Sequence, residues 1–168
     1  MLKRIYFKPQ MKTCIDNNGK EIGYVDYYYS VDEDKNEMQK PIIKYFQFWS
    51  EPDREQLAPL LIKDVLELII ELFTVKNISL LEFIIHKDNP VKQACRAFCE
   101  VMGGKQSDKI YFDSENGPID PYIWEEYIIT NKDFLENNFS GTINDIIKLI
   151  VIKTNTLKKQ YKSTQPDA

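Results

Sequence analysis

Pro41-Ile-Ile-Lys-Tyr-Phe-Gln-Phe-Trp49 runs through Ser50-Glu-Pro-Asp-Arg54 into a long apolar segment, then a second apolar run, Asp88-Asn89-Pro90 and finally Met102-Gly103-Gly104. The first nine residues are rich in aromatic and β-branched side chains, and residues 50–54 supply the turn and helix-start chemistry that ends a strand. From Leu57 onward, Leu60, Leu61, Val65, Leu68, Ile69 and Leu72 recur at spacings of three and four. Leu66 and Ile70 widen that stripe until little of the helix faces water. Residues 78–85 read as a second strand, and the helix that Asp88-Asn89-Pro90 starts ends at the glycine pair. The order is strand, helix, strand, helix. Two strands joined through a helix lie parallel in one sheet, and such sheets bind ligands at the carboxyl ends of their strands. The sequence therefore directs attention to the region beyond Trp49 and His86.

Composition narrows the function. With 168 residues and 43% hydrophobic content, the chain has material for one core. It reads as one domain over 1–138, an amphipathic helix over 139–161 packed on it, and a flexible tail over 162–168. A net charge of -4, from 22 basic and 26 acidic residues dispersed along the chain, offers no field for a phosphate backbone, so nucleic-acid binding is not expected. Cys14, Cys95 and Cys99 form no Cys-x-x-Cys pair and suit a reducing compartment. Met1-Leu-Lys-Arg-Ile lacks the apolar run of a signal peptide, and Glu67, Glu71 and Lys148 interrupt the greasiest stretches before a bilayer's thickness is reached. A cytoplasmic protein without a membrane span is the expectation.

Residues 11–16 and 21–30 flank Asn17-Asn18-Gly19, a turn sequence that accepts positive φ, and should form a hairpin. Tyr24, Tyr27, Tyr28 and Tyr29 fall on both faces of its second arm, a pattern of sheet packing rather than base stacking. Residues 32–40 are charged and aperiodic and read as a solvated loop. Further on, 109–113 is a short strand, Asn116-Gly117-Pro118 with Asp120-Pro121 a bent loop, and 124–130 another strand. In the tail, Ile143, Ile146, Ile147, Ile150 and Val151 repeat at three and four behind a Thr142 N-cap with Asp145 three residues on. Lys148, Lys153, Lys158, Lys159 and Lys162 make the outer side basic, which complements the helix dipole and needs no membrane. Its isoleucine face docks on the domain or on a second copy, which leaves a homodimer open.

Over residues 11–130 this order resembles the GNAT superfamily of acyl-CoA-dependent N-acetyltransferases. The most specific piece is Arg96-Ala-Phe-Cys-Glu-Val-Met-Gly-Gly-Lys105, similar to the family's helix that ends in a glycine pair. The resemblance implies an α/β (α+β) fold with a mixed, mostly antiparallel central sheet, helices on both sides and here an extra C-terminal helix. It also implies acetyl-CoA as a substrate and an amine of a small molecule or protein as acceptor. The coenzyme would thread between the strands ending at Trp49 and His86, in reach of Phe48, Trp49, Arg54, Gln56 and Asn89. Two departures stand out. Leu57 and Pro59 occupy the glycine positions of the family's pyrophosphate loop, crowding the phosphate and removing one N–H donor. Cys99 stands where many members carry a tyrosine that protonates the leaving thiolate, and a thiol donates weakly. The alternative reading is therefore a catalytically inactive GNAT-like binding module that has lost normal coenzyme binding.

His86 is the only histidine and ends the strand bordering the site, so it could take a proton from an amine directly or through water; surface capping is the plain alternative. Glu82 lies four residues earlier on the same strand face, either as a second base or as the salt-bridge partner of Lys44. Bulk water is the third choice of base. Cys95 and Cys99 share a helix face without other ligands converging on them and read as core, with no metal site. No Ser-His-Asp set and no Walker or dinucleotide fingerprint is present.

Overall fold

The computed structural model describes residues 4–36, 38–107, 112–113, 117–118, 124–136 and 142–164. Gly19 takes a φ of 77°, and the Asp16 carboxylate accepts the N–H groups of Asn18 and Lys20 at 2.8 and 3.0 Å, which closes the first turn. That turn joins β1 (Ile5–Ile15) to β2 (Glu21–Asp32) in an antiparallel pair. The first arm reaches back to Ile5, further than its alternation indicates. β1 is the edge of the sheet, where Lys8, Pro9 and Lys12 are tolerated and blunt the row of open backbone groups.

β3 (Ile42–Ser50) pairs antiparallel with β2 and, across α1 (Ala58–Thr74), parallel with β4 (Leu80–His86). α2 (Lys92–Val101) leads to β5 (Lys105–Ser107), a short strand that follows the glycine pair directly. β6 (Phe112–Asp113) and β7 (Gly117–Pro118) pair with each other; the remainder of the strand expected over 109–113 and of the bent loop lies outside the described residues. β8 (Trp124–Thr130) enters between β4 and β5, antiparallel to both. Among the described residues the order is β1-β2-β3-β4-β8-β5, six strands with one parallel pair. α3 (Asn131–Glu136) follows at once, its Asp133 N–H bonded to the Thr130 hydroxyl at 3.0 Å, and α4 (Ile143–Thr164) ends the described chain.

α1 and α2 cover the sheet face that carries Gly23, Val25, Phe48 and Phe83. Leu61, Ile62, Val65, Leu66, Ile69 and Leu72 of α1 are buried, and Phe98 of α2 meets Phe48 and Phe83 at ring-centroid distances of 5.8 and 6.0 Å. Each such side chain contributes roughly 1.5–3 kcal/mol of transfer free energy. Gly23 sets how close α1 can come, since a Cβ there would collide with the Trp49 carbonyl oxygen and lie 3.1 Å from Leu61. α4 lies against both helices with Ile146 and Ile150 buried and a Lys153–Glu100 ion pair of 3.1 Å to α2. Its start is a capping box in which Thr142 Oγ1 accepts from Asp145 N–H at 3.3 Å and Asp145 accepts from Thr142 N–H at 3.1 Å. Among the described residues no helix is long and apolar enough to cross a membrane.

Ile150 is fully buried between α4 and the helices beneath it. Ile150→Ala should lower the free energy of unfolding by about 2–5 kcal/mol in a urea titration. A loss below about 1 kcal/mol would mean that α4 rests on the domain without packing into it.

Candidate functional site

A phase change inside β3 creates the site. Ile43, Phe46 and Phe48 are buried, while Lys44 and Tyr45 are both partly exposed in succession, so one residue is extra. Tyr45 takes it up at a φ of 54°, a left-handed conformation that a bulky side chain rarely adopts. The bulge lets Phe46 and Phe48 face the helices and turns Lys44 away, with its Nζ 4.7 Å over the Phe7 ring. It also shifts the parallel register: Ile43 faces Leu81 and Phe46 faces Phe83, and the β3–β4 pairing goes no further. Beyond that point β3 continues to Ser50 on β2, and β4 continues to His86 on β8. The two carboxyl ends are parted.

Two devices span the gap. Asn89, only 2% exposed, donates its Nδ2 to the Phe48 carbonyl at 2.8 Å and accepts the Val91 N–H at 3.0 Å. The Cys95 thiol also points at the Phe48 carbonyl, at 3.6 Å. On the opposite face of the sheet, His86 lies between two indoles, with centroids 5.8 Å from Trp49 and 4.7 Å from Trp124. His86 Nδ1 accepts the Asp88 N–H at 3.0 Å, and the Asp88 carboxylate is 3.8 Å away. Trp49 is fixed in turn by donating to Gln47 at 2.7 Å.

The same face carries the carboxylates. Cross-strand partners are Glu82 with Ile128, Ile84 with Glu126 and His86 with Trp124, so Glu82 and Glu126 are diagonal neighbours below the aromatic row. Both are buried. Asp26, opposite Gln47 on β2, has its carboxyl raised by burial, partly offset by a hydrogen bond from Gln47.

Between β3 and α1 the chain makes a tight loop, with Asp53 at a φ of 63° and the Arg54 N–H bonded to the Glu51 carbonyl at 3.0 Å. Arg54 turns back to the first hairpin, where its Nη2 meets Asp16 Oδ2 at 2.8 Å. The Lys20 and Asn18 N–H groups, then Arg54, hold the Asp16 carboxyl below its usual range. Gln56 is exposed in a 3₁₀ turn, Glu55–Leu57, and α1 begins with Leu57 as an N-cap lacking any side-chain bond and with Pro59 in its first turn.

The fold thus brings Phe48, Trp49, His86 and Asn89 to one sheet edge, with Glu82 on the same strand as His86. Arg54 is committed to Asp16, and the Phe48 ring belongs to the core with only its carbonyl at the gap. Cys95 and Cys99 are fully buried on α2, and burial pushes both thiols well above the ordinary range. Among the described residues no group of three or more His, Cys, Asp or Glu is placed to hold a metal. Sequence reasoning missed Trp124, Asp88 and Asp16. Pairing the last strand antiparallel to the one ending at His86 would have found Trp124; nothing local marks Asp16 as the partner of a residue 38 positions away. A separate groove of about 600 Å³ lies at the sheet's β1–β2 edge, lined by Tyr6, Phe7, Lys8, Tyr29 and Val31, with β3 between it and the gap.

Solved structures share this architecture. The spermidine/spermine N-acetyltransferase SpeG from Vibrio cholerae, in complex with manganese ions, aligns with a TM-score of 0.52 at 16% identity over 78% of this chain and 70% of its own. Glutamate-to-glutamine mutant forms of that enzyme align at 0.51 and 13% identity over 78% and 72%, and a dodecameric intermediate state at 0.50 and 18% over 78% and 70%. The fold is GNAT-like. No family model matches the sequence, and no curated protein does. In the GNAT-like frame, β3 and β4 are the central parallel pair and the parted ends lie at its carboxyl edge.

Asn89 is the test of the closure. Asn89→Ala leaves the buried Phe48 carbonyl and Val91 N–H without that partner, each worth about 1–3 kcal/mol. A total loss of about 2–4 kcal/mol of unfolding free energy is expected, and a loss under about 0.5 kcal/mol would show that the bridge contributes nothing.

Proposed function

We propose that the protein is an N-acetyltransferase that takes the acetyl group of acetyl-CoA to an amine. One observation supports it above the rest: the β3–β4 pairing stops at Phe46–Phe83 while both strands continue, so their facing edges diverge, with the Phe48 carbonyl held by Asn89 and the backbone groups beside it unpaired by the other strand. An extended, amide-bearing chain such as the pantetheine arm can hydrogen-bond to such edges. Its thioester would then lie near Trp49 and His86, and its phosphates near Arg54, Gln56 and the uncapped start of α1. A neutral amine attacks the thioester carbonyl carbon, the C–S bond breaks, and the coenzyme leaves as thiolate. The ammonium proton passes to Glu82 or to water. Neighbours named for spermidine and spermine acetylation fit an amine acceptor.

A second reading, a GNAT-like binding module without acetyl transfer, is favoured by the loop before α1. Arg54 is neutralised by Asp16, and Leu57 and Pro59 stand where a phosphate would approach. Calorimetric titration of acetyl-CoA separates the two readings. On the enzyme reading, binding is measurable but weak, and Asp16→Asn tightens it about tenfold because Arg54 is freed to form a charge-assisted bond with phosphate. Asn keeps the oxygen that closes the turn. Absence of binding at roughly millimolar coenzyme by both proteins would establish the module instead.

A further inference from the structure

His86 is the sole histidine, and its ring is held from three directions: by Trp49, by Trp124 and by the turn that follows it. In that turn the Asn89 N–H bonds to the His86 carbonyl at 3.0 Å, and the Asp88 N–H bonds to His86 Nδ1, also at 3.0 Å. A neutral imidazole has one N–H and one lone-pair nitrogen. The Asp88 N–H occupies the lone pair of Nδ1, so the proton resides on Nε2.

That assignment reverses the role read from sequence. A general base needs a lone pair facing the substrate, and the other ring nitrogen, Nε2, which has no hydrogen-bond partner among the described residues, carries a hydrogen. To take a proton, His86 must use Nδ1 and give up the Asp88 N–H, or turn over between two indole rings. We propose that His86 serves as a fixed hydrogen-bond donor, its Nε2–H directed at the carbonyl oxygen of the bound acyl group. The role presupposes the acetyltransferase activity proposed above. As the amine adds to the carbonyl carbon, negative charge grows on that oxygen, and a preoriented N–H stabilises it without any proton leaving the ring. The C–S bond then breaks and the carbonyl reforms. The amine proton goes to Glu82 or water, so the ring ends the cycle as it began. The Asp88 carboxylate, 3.8 Å from Nδ1, is the charged group beside the ring in this turn.

With one histidine in the chain, a two-bond proton–nitrogen spectrum of 15N-labelled protein shows a single imidazole. In the neutral ring the pattern of the Nε2–H tautomer is expected; the Nδ1–H pattern would overturn the proposal. The donor itself is read with carbonyl-13C-labelled acetyl-CoA, which needs no acceptor amine. The bound carbonyl resonance should move downfield in the native protein, fall back in His86→Ala, and keep most of the shift in His86→Gln, whose amide supplies an N–H but no basic nitrogen. An equal bound shift in all three proteins would overturn the donor role. A native protein that binds no acetyl-CoA removes the activity, and this role with it. An Nδ1–H tautomer in a protein that does bind removes this role alone.

Discussion

One backbone torsion governs the arrangement of this molecule: Tyr45 holds a φ of 54° in the middle of a strand. Such a conformation costs about 1–3 kcal/mol for a residue with a bulky Cβ substituent and persists only where its surroundings impose it. The surroundings here are Phe46 and Phe48. Both are fully buried against Phe83, at centroid distances of 5.3 and 5.7 Å, and an unbroken alternation that buried them would bury Lys44 as well. Burying a lysine without a partner costs more than one strained torsion, so the strand inserts a residue. The parallel pairing cannot then stay in step, and the ends of β3 and β4 part.

What lies at the parted ends follows from that. The Phe48 carbonyl loses its ladder partner inside the protein and is satisfied by Asn89, which in turn fixes the start of α2. On the other face Trp49, His86 and Trp124 are successive neighbours across three strands; the β4–β8 register sets Trp124 opposite His86, edge-on at 85°, and Trp49 meets the same ring tilted at 39°. Bulge, amide bridge and aromatic row form one unit. The loop before α1 is organised separately, by Arg54 reaching back to Asp16 in the first turn. This ion pair ties the hairpin to the loop and draws the guanidinium away from the helix start.

Much of the architecture is legible in the chain because its signals are local. Asn17-Asn18-Gly19 fixes the hairpin, the apolar stripe after Leu57 gives α1, and the Gly103-Gly104 pair ends α2, where Gly103 takes a φ of 81°. Thr142 and Asp145 announce α4. Two elements were missed that carried signals of their own: Thr130 with Asp133 is a helix-start pair three residues apart, and it caps α3. Lys44, sharing its parity with Phe46 and Phe48, is the sequence mark of the bulge. The length of β1 was hidden by Lys8, Pro9 and Lys12, residues an edge strand accepts and a central one does not. The site was less legible because its geometry is long-range. The Arg54–Asp16 pair spans 38 positions, and the tautomer of His86 depends on a backbone N–H two residues on whose direction only the folded turn sets.

The central claim, that the gap between β3 and β4 receives the coenzyme, is tested most directly by backbone amide hydrogen exchange with and without acetyl-CoA. Bound coenzyme should slow exchange at residues 47–50 of β3, 84–86 of β4 and the first turn of α1, while amides of β1 and of the groove lined by Tyr6, Phe7 and Val31 exchange as before. Protection confined to the β1–β2 groove, with the β3–β4 ends unchanged, would contradict the account.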